Sequence, residues 1–100
     1  MRFLVAERLL VWPGGEVYFT PQEATLFGVL DKSHGRCVSY ETIIKNLWPL
    51  EADEPHDALS AIHTVVTTLR HKLPAGLSIV VTLNVGERLE GDVKVDWSLR

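Results

Sequence analysis

The sequence predicts one α+β domain over 1–100: short N-terminal strands over 1–19, a three-helix core over 20–73, and a β-hairpin with a closing strand over 77–97. Three observations carry this. Thr20-Pro21-Gln22-Glu23 is a helix start: Thr20 can cap, Pro21 sits at the first helical position and Glu23 closes a capping box. Leu59, Ile62, Val66, Leu69 and Leu73 recur at steps of three and four, so a long third helix has one apolar face. Residues 77–83 are apolar and β-branched, and Asn84-Val85-Gly86 then offers a tight turn into a returning strand over 87–89.

The other elements follow in order. Residues 2–5 and 8–12 read as strands, and Pro13-Gly14-Gly15 turns the chain into a third over 16–19. Together they predict a small antiparallel sheet. The first helix carries Ala24, Leu26, Phe27 and Leu30 on its inner side and ends near Lys32. Ser39 is the next N-cap, Ile43, Ile44, Leu47 and Trp48 form the buried face, and Pro49 stops that helix. An acidic loop leads to the third helix, which Pro74 and Gly76 end. Val93, Val95 and Trp97 alternate with Lys94 and Asp96 as a last short strand. Two short helices, a longer third and a hairpin make the winged-helix arrangement.

Composition suits one self-sufficient core, with 46% hydrophobic and 23% charged residues. No signal peptide is read at the start, and no run approaches the roughly 20 apolar residues of a membrane helix. Cys37 is the only cysteine, which excludes an internal disulfide and fits a reducing cytoplasm. Beside Val38 it reads as a buried structural thiol. No histidine pair has the i, i+4 spacing of a helical metal site, so neither metal nor cofactor is expected. Paired carboxylates, a phosphate loop and a catalytic triad are also missing, which argues against an enzyme. The net charge of −3 runs against nucleic-acid binding, but its distribution matters more. Acids gather at Glu51, Asp53, Glu54 and Asp57, none falls between 58 and 73, and 74–86 carries no charge at all.

Four pieces of the chain, in order, resemble the OmpR/PhoB winged helix-turn-helix family. They are Phe19-Thr20-Pro21-Gln22-Glu23 before the first helix, His34-Gly35-Arg36-Cys37-Val38-Ser39 before the second, Leu47-Trp48 at its end, and Leu69-Arg70-His71-Lys72-Leu73 closing the third. The resemblance implies a DNA-binding transcription regulator with its third helix in the major groove and its wing on the backbone or minor groove. It also implies contact with RNA polymerase through the 49–54 loop. The chain departs from the family where Ser60, Thr67 and Thr68 stand in place of basic residues. Its wing is a residue shorter, with Asn84 near an arginine position and Glu87 where a tyrosine is usual. No receiver domain is expected within these 100 residues.

On this reading the DNA-contacting residues are Arg36, Ser39, Ser60, Thr64, Thr67, Thr68, Arg70, His71, Lys72, Asn84 and Arg88. Hydroxyls on the outer face of the third helix can bond phosphates or bases, and threonine methyls can pack on thymine methyls. The bland alternative is a solvated face. Arg36 and Ser39 can serve phosphate at the start of the second helix, or act as a plain cap beside a solvated arginine. Arg70 either contacts phosphate or, lying near the apolar stripe, pairs with Glu23; Lys72 lies further round and suits phosphate better. His63 and His71 can add charge near neutral pH. The chain is expected to act as a homodimer on repeated half-sites of double-stranded DNA. Its acidic balance, thinned arginines and uncharged wing support an alternative: a winged helix turned into a protein-interaction module.

Overall fold

Three phenylalanines join the N-terminal strands to the first helix. The rings of Phe3, Phe19 and Phe27 meet pairwise at centroid distances of 5.0, 5.0 and 5.3 Å, tilted or edge to face. In the computed structural model, which describes residues 1–96, Phe3 lies in β1 (Arg2–Leu4). A 3₁₀ turn (Val5–Glu7) leads to β2 (Leu9–Trp12), and β3 (Gly15–Tyr18) returns through the predicted glycine turn. Arg8 sits at φ 53° to make the first of these reversals.

Helix α1 (Pro21–Lys32) begins with the predicted capping box. The Glu23 N–H donates to Thr20 Oγ1 at 3.2 Å, and the Thr20 N–H donates to Glu23 Oε1 at 2.8 Å. Helix α2 (Tyr40–Leu47) is capped by Ser39, whose Oγ accepts the Thr42 N–H at 3.2 Å. Helix α3 (Ala58–Lys72) is capped by Asp57, whose Oδ1 accepts the Ser60 N–H at 3.1 Å. Leu26, Leu30, Ile43, Ile62, Val66 and Leu69 from the three helices are buried together. Each such side chain contributes roughly 2 kcal/mol, and together they fix which side of α3 faces inward.

The α3 stripe differs from expectation at one end. Leu59 is 48% exposed, and Val65 is buried instead. The buried stripe of the helix therefore runs through Ile62, Val65, Val66 and Leu69. Cys37 is exposed rather than buried, because it precedes the short strand whose Val38 takes the inward position.

Two sheets flank the helices. One is ordered β3-β2-β1-β7, with β7 (Lys94–Asp96) parallel to β1 through Phe3↔Val95. The expected antiparallel sheet therefore gains a parallel fourth strand. Val93 and Val95 pack against the core, while Trp97, read as part of this strand, lies outside the described residues. The second sheet is ordered β4-β6-β5. Strands β5 (Ser78–Thr82) and β6 (Gly86–Glu90) form the hairpin, and β4 (Val38–Ser39) joins the α1–α2 connection to it. This is the winged helix-turn-helix architecture.

Gly86 sits where β6 pairs with β4, opposite Ser39. A side-chain carbon there would overlap the Val38 carbonyl, so only glycine permits the approach. Gly86→Ala is expected to destabilise the fold by about 2 kcal/mol, read as a lowered urea midpoint with unchanged slope.

Candidate nucleic-acid interface

The outward side of α3 is built from one spacing. Ser60, Thr64, Thr67 and His71 follow one another at steps of four, three and four, opposite the buried Ile62, Val65, Val66 and Leu69. All four are exposed, and α3 carries no acid along its length. Threonine is a poor interior helix residue because its hydroxyl competes for the backbone. Here that competition is settled locally. Thr64 Oγ1 donates to the Ser60 carbonyl at 3.1 Å, and Thr67 Oγ1 donates to the His63 carbonyl at 2.8 Å. Ser60 Oγ donates to Asp57 Oδ2 at 2.8 Å. With those protons turned inward, the face offers oxygen lone pairs and methyl groups to a partner. The Ser60 N–H and then the Ser60 hydroxyl, both donating to it, hold the Asp57 carboxyl below its ordinary value.

The two flanks of α3 have different neighbours, and this reorders the basic residues. Lys72 closes onto α1: its Nζ donates to Glu23 Oε1 at 2.6 Å and to the Tyr18 carbonyl at 3.1 Å. Thr68 lies on the same flank, with Oγ1 donating to the Val65 carbonyl at 3.0 Å. Burial pushes the Glu23 carboxyl up. The Lys72 hydrogen bond, the Thr20 N–H, the Thr68 hydroxyl and the Lys72 charge outweigh it and hold the group below its ordinary value. Of the two roles open to Arg70, pairing with Glu23 falls to Lys72 instead. Arg70 is on the opposite flank, where Nη2 donates to the Ile79 carbonyl of β5 at 2.6 Å. The residue is exposed as a whole, so the guanidinium is tethered to β5 with donors to spare.

The other candidates are dispersed. Ser39 is the α2 cap, and its Oγ lies 3.0 Å from Thr42 Oγ1. Arg36, three residues earlier, is exposed and has no ion pair among the described residues. Asn84 occupies the apex of the hairpin at φ 61°, within a three-residue loop closed by the Val85 N–H to the Thr82 carbonyl at 3.0 Å. Arg88 is away from the apex. It pairs with Glu90 at 2.9 Å and lines a hollow with Asp31, His34 and Asp92 at the wing's base. The apex is instead apolar, with Leu83 at 81% and Val85 at 54% exposure.

Two features were not expected from the sequence. Glu87 is wholly buried, and neither carboxylate oxygen accepts a hydrogen bond from a described residue. Tyr40 on α2 stands edge-on to His63 of α3, with ring centroids 6.3 Å apart. Burial pushes the Tyr40 phenol up, and the nearby Glu87 and Cys37 add to this against Arg70. The polar glutamate inside an otherwise alternating strand was the only signal for the first; nothing local marked the second.

A three-helix core, an outward α3 free of acids and a hairpin beside it define the class of helix-turn-helix DNA-binding domains. The family model for "Transcriptional regulatory protein, C terminal" matches residues 14–86. The chain belongs to this family, the OmpR/PhoB-type DNA-binding domains of transcription regulators. Among curated proteins, no match is found. Among the described residues no helix is long and apolar enough to cross a membrane.

The Glu23–Lys72 pair gives a pH-dependent prediction. A carboxyl held below its ordinary value contributes stability that is present above about 4.5 and is lost as pH falls through the lowered native value. Lys72→Met is expected to cost about 3 kcal/mol at neutral pH by leaving a buried carboxylate uncompensated. In denaturant melts from pH 7 to pH 3 the variant should lose less of its remaining stability than the parent.

Proposed function

We propose that the domain binds duplex DNA with α3 in the major groove and the hairpin on the backbone or the adjacent minor groove. The observation that supports this most directly is the outward stripe Ser60–Thr64–Thr67–His71, free of acids and flanked by Arg70. Threonine oxygens and methyls suit base edges and thymine methyls. Arg70 and Arg36 are the cations best placed for phosphate, and Asn84 is the polar side chain at the wing apex. Lys72 and Thr68 act in this reading as the anchor of α3 on α1. Arg88, paired with Glu90, serves the base of the wing.

Two copies on repeated half-sites would each present this surface. The exposed 49–54 loop, which contains a 3₁₀ turn over Glu51–Asp53 and the exposed Leu50, is the surface that would meet RNA polymerase.

Few free cations mean a shallow salt dependence. Fluorescence anisotropy with labelled duplex should give a log–log salt slope corresponding to about 3–5 phosphates per subunit; a slope near −8 contradicts this surface. Thr64→Ala with Thr67→Ala is expected to weaken a selected site by about tenfold while leaving random-duplex affinity nearly unchanged. Equal loss on both would remove α3 as the reader of sequence. A second reading, a protein-interaction module, is favoured by the apolar wing apex at Leu83 and Val85. Absence of any duplex binding at low salt, with the domain folded, selects it.

A further inference from the structure

Glu87 stands apart from every other acid in the chain. It is 0% exposed, and both carboxylate oxygens are buried without a hydrogen-bond donor among the described residues. By contrast, Glu23, the other buried acid, has two donors on one oxygen. Glu87 lies directly opposite Val81 of β5 and Val38 of β4, so its side chain shares their face of the sheet. Its chain neighbour Arg88 points to the other face.

The charged and titratable groups near it come from several elements. From α3, His63 and Arg70 bring positive charge, and from α2 Tyr40 brings its phenol. Arg70 gives its short hydrogen bond to the Ile79 carbonyl rather than to Glu87. Cys37, just before β4, acts on Tyr40 from the same side. Helix α1, also packed on β6, brings Asp31 to the hollow lined by Arg88. An unpaired charge is costly in such a place, whereas a neutral carboxyl is tolerated. Burial therefore pushes the Glu87 carboxyl up, and the charges of His63 and Arg70 oppose this without cancelling it.

We propose that Glu87 is a proton-operated latch between the wing and α3: as a neutral acid it lets the hairpin close on the helix, and its ionisation loosens that junction. The latch itself requires no ligand. Its consequence for DNA rests on the reading of α3 and the wing as the duplex-binding surface: a firm junction presents both in one fixed geometry, and nearby phosphates further favour the neutral acid. Proton uptake and duplex binding then strengthen each other.

The test compares the full chain with Glu87→Gln, which keeps size and shape without ionising, and with Glu87→Met as a second uncharged variant. A group raised above its ordinary 4.5 contributes stability that is complete below that value and is lost as pH rises through the native one. Urea midpoints from pH 4.5 to pH 8 should therefore fall in the parent relative to both variants as pH rises. His63→Gln removes an opposing charge and should move the parent's loss to higher pH. Parallel midpoint profiles for parent and both variants overturn the latch. In the second arm, affinity for random duplex is measured across the same range. Parent affinity should decline with pH by about threefold to tenfold more than Glu87→Gln, the span one unit of linkage allows. Duplex binding with parallel profiles overturns the coupling and leaves the nucleic-acid reading standing. Absence of duplex binding at every pH overturns the coupling together with that reading, while the midpoints alone still decide the latch.

Discussion

Glu23 Oε1 receives two hydrogen bonds, and the arrangement of the helices depends on them. The Thr20 N–H closes the start of α1, and the Lys72 ammonium brings in the end of α3. Because Lys72 also reaches the Tyr18 carbonyl, the same cation reaches the end of β3. Sheet, first helix and third helix thus meet at one buried carboxylate. Hydrophobic burial brings α3 against the core but is indifferent to direction. A charge-assisted bond is directional, and this one ties the last turn of α3 to the first turn of α1.

The opposite flank of α3 is held differently. Arg70 donates to the backbone of β5, and Glu87 is buried on the neighbouring strand β6. One side of the helix is therefore anchored by a compensated charge, the other by a tether near a partly compensated acid. This asymmetry makes the wing junction the more sensitive of the two, since the charges of His63 and Arg70 offset the desolvation of an ionised Glu87 only in part and no described residue donates a hydrogen bond to it.

Between these anchors lies a face with little charge and many hydroxyls. Its threonines satisfy their donors within the helix, so the helix tolerates them and the surface remains available. The overall charge of −3 is compatible with that face, because the acids at 51–57 precede α3 and none lies along it.

Local pattern in the sequence was enough for the helices. Pro21 and Lys32 bound α1 as predicted, Ser39 and Pro49 bracket α2, and the 3–4 spacing places the inner face of α3, because caps, proline and periodicity act within a few residues. It was also enough for the winged-helix class, which depends on element order. Partnership was decided only in three dimensions. Periodicity states how far Arg70 and Lys72 lie from the apolar stripe, but not that one flank meets β5 and the other Glu23. Likewise alternation marks β7 as a strand without saying that it joins β1 in parallel, and the burial of Glu87 depends on helices distant in sequence closing over it. Angular position along a chain is a local quantity, whereas the identity of a neighbour is set by how the whole core packs.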